Sequence, residues 1–148
     1  MKFSCSVIVN KPKDTVVSYF MNPDHLVHWQ DGFLGKEHKS GEPLEEGAVS
    51  EFRYKVGGNE LQIYETIISN QMPDSFLADY DCEPTQNTML SSFQAIDGHS
   101  TKFNVEVEYL KFSGFMVIIM KTLFPSMFMK QVQKWLDNFK EFVENDAA

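Results

Sequence analysis

Glu65 falls in phase with Leu61, Ile63 and Ile67 along a run whose alternation marks a strand. A carboxyl on the dry face of a sheet loses hydration, so its pKa rises and it can hold or pass a proton nearer neutrality. The same run also accommodates Tyr64, Thr66 and Ile68 on the inner side. That register leaves Glu65 solvated, and it is the favoured expectation because charged residues are rarely buried without a partner. Tyr54, Tyr80 and Tyr109 occupy apolar faces of other strands, where a buried hydroxyl needs a partner and can orient a ligand. The amphipathic habit of tyrosine favours a hydroxyl reaching the sheet rim instead. Glu65, Tyr54 and Tyr80 are the acid–base candidates.

Other chemistry finds little support. His25 and His28 share a helix face, but neither an HExxH motif nor a cysteine pair accompanies them, so no metal site is expected. Asp79, Asp81 and Glu83 alternate along a strand without the glycine and ligand spacing of a calcium loop, and read as a charged sheet edge. Two cysteines, Cys5 and Cys82, make no disulfide framework and are expected reduced and buried. There is no GxSxG elbow, and Gly57-Gly58 sits in a hairpin turn, so neither a nucleophilic serine nor a nucleotide cofactor is expected.

Ligand binding has a stronger basis in composition. Thirteen Phe, five Tyr and two Trp exceed what a minimal core needs. Met116, Met120, Met127 and Met129 cluster with Phe115, Phe124 and Phe128, and unbranched methionines suit irregular binding surfaces. The residues expected to line a pocket are Trp29, Phe52, Tyr54, Tyr80, Phe103, Met116, Met120 and Phe124. The same Phe/Met-rich stretch would equally pack a core or form a homodimer contact, since apolar stripes at helical spacing usually do.

At 148 residues the chain has the length of one domain, taken as 1–148. Its net charge of −8, with Arg53 the single arginine, argues against nucleic acid, which needs a basic face, and against anionic membrane surfaces. The longest apolar run, Phe115 to Met120, is far too short to span a bilayer, and polar residues interrupt the N-terminus before a signal-peptide core forms. The compartment expected is the cytoplasm.

Alternation at Phe3, Cys5, Val7 and Val9 predicts a first strand. Asn10-Lys11-Pro12 and Asn22-Pro23-Asp24 each start a short helix, the first with Val16, Val17 and Phe20 as its apolar face, the second carrying Leu26, Val27 and Trp29. Six strands then fit between turn signals, with clear alternation at Ala48/Ser50/Phe52/Tyr54/Val56, Phe76/Ala78/Tyr80/Cys82 and Phe103/Val105/Val107/Tyr109. Phe128, Val132, Trp135, Leu136, Phe139, Phe142 and Val143 predict a closing amphipathic helix that Pro125 starts or kinks, after an apolar stretch 115–124 also at helical spacing.

A strand, two short helices, six antiparallel strands and a long helix give an α+β domain whose order resembles the helix-grip fold. Pro12 with Val16, Val17 and Phe20, then Pro23, His25-Leu26 and Trp29, and finally Leu136, Phe139-Lys140 and Val143-Glu144, resemble the START-like, birch-pollen-allergen-like superfamily, particularly its polyketide cyclase/dehydrase-like proteins. The resemblance covers nearly the whole chain and carries no catalytic motif. It implies a seven-stranded curved sheet gripping the last helix and a cavity for a hydrophobic small molecule such as a lipid, sterol or polyketide. A cyclase, aromatase or dehydratase using that cavity, or an interaction module without a ligand, remain the alternatives, because this fold hosts many functions.

Overall fold

A computed structural model describes residues 2–83, 85–112 and 125–147. The elements are β1 (Lys2–Val9), α1 (Lys13–Met21), a 3₁₀ turn (Pro23–His25) running into α2 (Leu26–Trp29), β2 (Phe33–Ser40), β3 (Val49–Val56), β4 (Asn59–Gln71), β5 (Ser75–Cys82), β6 (Thr85–Asp97), β7 (Ser100–Phe112) and α3 (Pro125–Asp146). Seven strands form one antiparallel sheet in the order β1-β7-β6-β5-β4-β3-β2, as the resemblance implies. Each consecutive pair from β2 to β7 is a hairpin neighbour, and β1 closes on β7 across the chain.

Short-range chemistry accounts for the connections. Pro12 precedes α1 where no backbone donor is needed, and the Asn22 side chain accepts a bond from the Asp24 N–H, starting the 3₁₀ turn. Between α2 and β2, Gly32 turns with φ +80°, and a β-carbon there would stand 2.3 Å from the Lys55 carbonyl oxygen, so only glycine fits.

The concave face buries Phe3, Cys5, Val9, Phe52, Tyr54, Phe93, Phe103, Val105 and Val107 against Val16, Leu26 and Trp29 and against Leu136, Phe139 and Val143 of α3. The predicted inner stripe of α3 is thus the packed one. Met127 and Met129, on either side of Phe128, are 56% and 44% exposed, so these two methionines flank the stripe and do not face the cavity. The 115–124 stretch, with the expected pocket residues Met116, Met120 and Phe124 as well as Phe115, lies outside the described residues.

α3 also manages an exposed edge. β1 pairs only with β7, which leaves backbone carbonyls free on its other side. Gln133 Nε2 donates to the Ser6 carbonyl at 3.1 Å and Lys140 Nζ to the Ile8 carbonyl at 2.8 Å, while the Asn10 N–H donates to Glu144. The opposite edge, β2, carries Lys36, Glu37, His38 and Lys39. Asp79, Asp81 and Glu83 do not form a sheet edge: β5 lies between β4 and β6, and Asp79 accepts a 2.7 Å bond from Gln86 on the neighbouring strand. Alternation places these carboxylates on the outer face but says nothing about a strand's rank in the sheet. Cys5 and Cys82 are both free, on strands separated by β7 and β6; Cys5 is buried as expected, but Cys82 only half so, because it ends its strand.

Candidate functional site

Between the concave sheet and the helices lies a cavity with about 750 Å³ of atom-free space including its mouth, of which about 80 Å³ admits the centre of a water molecule. The wall is largely apolar and rich in aromatic side chains: Phe20 and Trp29 from the N-terminal helices, Phe52, Phe76, Tyr80 and Phe103 from the sheet, and Trp135 from α3. Phe20 is the hub, its ring centroid 5.1 Å from Phe93, 5.5 Å from Phe103, 6.2 Å from Trp29 and 6.3 Å from Phe76.

Glu65 is in this wall, 5% exposed. The expectation of a solvated Glu65 is therefore corrected, and Tyr64, its neighbour in sequence, is the one turned out, at 42% exposure. Cross-strand register decides it. Glu65 pairs with Ser50 on β3 and Tyr80 on β5, and both belong to inward alternations. The partner that charged residues need when buried is also present: Tyr80 Oη donates to Glu65 Oε2 at 2.8 Å. Burial pushes the Glu65 carboxyl up from the ordinary glutamate range, against the smaller opposing pulls of Lys36 and of the Tyr80 hydroxyl. Burial beside that carboxylate holds the Tyr80 phenol well above its usual value, so it stays a donor.

The hydroxyls of Tyr54 and Tyr80 do not escape to the sheet rim, because each finds a partner inside. Tyr54 Oη donates to Gln30 Oε1 at 2.7 Å, and its ring stacks on Trp135 at 5.6 Å. Tyr54 thus stands behind Gln30 and Trp135, which themselves line the cavity. Of the residues expected to line a pocket, Trp29, Phe52, Tyr80 and Phe103 meet at the cavity. Tyr109 packs instead against Phe3 and Phe128 near the start of α3. Gln30, Lys36, Phe20 and Trp135 were not among the expected lining residues. For Trp135 the signal was available in its place on the apolar stripe of the closing helix; Gln30 and Lys36 carry no such mark.

Lys36 pairs with Phe52 across β2 and β3, and so shares its inner face. Its ammonium lies 5.2 Å from the Phe52 ring centroid, at an exposed position. Asn138 ties the end of α2 to α3, donating to the Trp29 carbonyl and to Asp31 at 3.2 Å each, while Lys134 pairs with Asp31 at 2.7 Å. These contacts hold the two tryptophans in register. His25 and His28 are used in packing, stacked on Tyr19 and Phe142 with centroids 4.6 Å apart in both cases.

The sign of the Glu65 shift gives a stability prediction. With its folded pKa raised, the folded protein holds a proton that the unfolded chain releases, so stability falls as pH rises from the unfolded value through the folded one. Glu65→Gln, which still accepts from Tyr80, should therefore raise Tm by a few degrees at neutral pH, at about 2–4 °C per kcal/mol. The gain should vanish below the ordinary glutamate range. Thermal melts of both proteins across pH check this; a Tm difference that does not change with pH would show that Glu65 is not an uncompensated buried charge.

No family model matches the sequence, and no curated protein sequence is significantly similar to it. Solved structures match throughout. The Zhui aromatase/cyclase from a Streptomyces species superposes with a TM-score of 0.83 at 9% identity, covering 100% of this chain and 96% of that one. The chain has the helix-grip fold. A ginseng major latex-like protein from Panax ginseng shares the helix-grip architecture with a TM-score of 0.73 at 15% identity, over 95% of both chains. The di-domain ARO/CYC from the steffimycin biosynthetic pathway matches at a TM-score of 0.78 and 12% identity, over 98% of this chain and 46% of that one. Among the described residues, no helix is long and apolar enough to cross a membrane.

Proposed function

We propose that this chain binds a small, largely apolar ring compound in the cavity between the sheet and α3. The carrying observation is a largely apolar wall, rich in aromatic side chains, into which a few polar groups converge: Glu65 with Tyr80, Gln30 with Tyr54, and Lys36 at the mouth. That is the composition of small-molecule sites, apolar for affinity and sparingly polar for orientation. Phe20 is part of that wall, so its ring helps to bound what the cavity can take. Helix-grip neighbours include aromatase/cyclases, which is consistent with a ring-shaped guest.

Native mass spectrometry of freshly purified protein, followed by solvent extraction, tests the proposal. A bound organic species of ring character is the expected result. Empty protein that also takes up no small aromatic compound from a panel would overturn it.

The burial of Glu65 favours a second reading, in which the cavity belongs to an enzyme of the cyclase, aromatase or dehydratase kind. A carboxyl with a raised pKa, beside a phenol that stays protonated, is suited to take a proton from a bound substrate or return one. In that case Glu65→Gln abolishes turnover while leaving ligand binding within about threefold, since the substitution keeps shape and removes only the proton-accepting form. Undiminished turnover would exclude Glu65 as the proton carrier.

A further inference from the structure

Glu65 keeps one carboxylate oxygen unpaired. Its Oε2 receives the Tyr80 hydroxyl, and no hydrogen bond reaches Oε1 among the described residues. That oxygen is not sealed into the core. Among the described residues, the buried side-chain polar atoms that lack a partner are the indole nitrogens of Trp29 and Trp135, and Oε1 is not one of them, so it retains accessible surface. Glu65 is 5% exposed, sits on a strand flanked by β3 and β5, and lines the cavity. The surface left to Oε1 therefore opens on the cavity space.

The chemistry around that oxygen is one-sided. A carboxylate only accepts, and a phenol has a single O–H, which Tyr80 has already given to Oε2. The pair thus faces the cavity with lone pairs and no proton to offer. Ser50 pairs with Glu65 across β3 and β4, but its hydroxyl makes no bond to the carboxylate. Lys36 favours the charge of Glu65 from the mouth. Buried acceptors are nearly always paired, and one that opens on a cavity is paired by what the cavity holds. A hydrocarbon would leave Oε1 unpaired, an anion would meet Glu65 with like charge, and an ammonium would meet Lys36 on entry.

We infer that the free oxygen of the Glu65–Tyr80 pair is a donor-recognition subsite, and that the cavity selects neutral ring compounds carrying a hydroxyl group that donates to Glu65. This rests on the ligand-binding function proposed above and specifies the group by which the ligand is chosen.

Phenol and fluorobenzene separate the hydroxyl from the ring, since fluorine is close to a hydroxyl in size and cannot donate. Each is titrated into isotope-labelled protein, at a pH above the titration of Glu65 and below that of phenol, and the amide shifts give both affinities. Phenol is expected to bind about tenfold more tightly, on the scale of one hydrogen bond to a charged group. The double variant Glu65→Leu/Tyr80→Phe makes both partners apolar, so there the order should reverse, because the hydroxyl is desolvated without a partner. Equal affinities in the parent, or tighter binding of fluorobenzene, would overturn the subsite, with water as the partner of Oε1, and leave ligand binding standing. A phenol preference that persists in the double variant would overturn it too, by placing the partner of the hydroxyl elsewhere in the wall. The parent comparison decides the case even if the double variant does not fold. Failure of both compounds to bind the parent would overturn the subsite together with the ligand binding on which it stands.

Discussion

Phe139→Ala should cost about 3–5 kcal/mol of folding stability, the range for deleting a fully buried phenylalanine. Phe139 has no solvent exposure, and its ring meets Trp29 and Phe103 edge-on at 5.2 Å and Phe20 at 6.5 Å. One side chain of α3 therefore joins the sheet and both N-terminal helices, and no nearby residue can close the space because the surrounding rings are held by one another. At about 2–4 °C per kcal/mol, the loss appears as a Tm drop of order 10 °C. Urea denaturation measures it directly. A loss under about 1 kcal/mol would mean that α3 is not gripped at this point, since surface substitutions fall in that range.

Phe20→Ala should have the second-largest effect, and the more informative one. Phe20 is half-buried and forms part of the cavity wall, so its truncation is expected to cost roughly 2–4 kcal/mol. The vacated space is continuous with the existing cavity and enlarges it. Apolar cavities stay dry and accept apolar guests, so the variant should be rescued by a ring compound that the parent binds weakly. A ligand that binds only the folded state stabilises it in proportion to the logarithm of its excess over Kd. The rise in Tm with added naphthalene or anthracene should accordingly be greater for the variant than for the parent, and greater for the larger guest. Equal rises in both proteins would show that Phe20 does not limit what the cavity holds.

The pH-dependent gain expected for Glu65→Gln and the stability loss expected for Phe139→Ala arise from features that were unequally legible in the sequence. The amphipathic stripe of α3 was plain, because helical spacing repeats from Phe128 to Val143 and each repeat votes for the same face. Phe139 could be placed in the core from that stripe alone. The inner faces of β3, β5 and β7 were equally plain from alternation, as were the turns between them, and with the two proline-started helices they define the element order of a helix-grip domain.

β4 was different. Its two faces are nearly equal in hydrophobicity, so period-two alternation has no preferred phase, and the general cost of burying a carboxylate points to the wrong one. Pairing with β3 and β5 turns Glu65 inward and delivers Tyr80 to its carboxylate, a contact between residues on adjacent strands that no local pattern encodes. The tryptophans show the same limit. Their types and apolar positions were evident, but that the two rings meet edge to face depends on how α2 and α3 cross, and on Asn138 and Asp31 locking that crossing. Composition and periodicity thus determined the elements and which face of most of them is dry, because those properties are local and repeated. The partners of the few polar groups on the dry side were decided only in three dimensions, because a buried hydrogen bond is a property of two segments that the chain brings together.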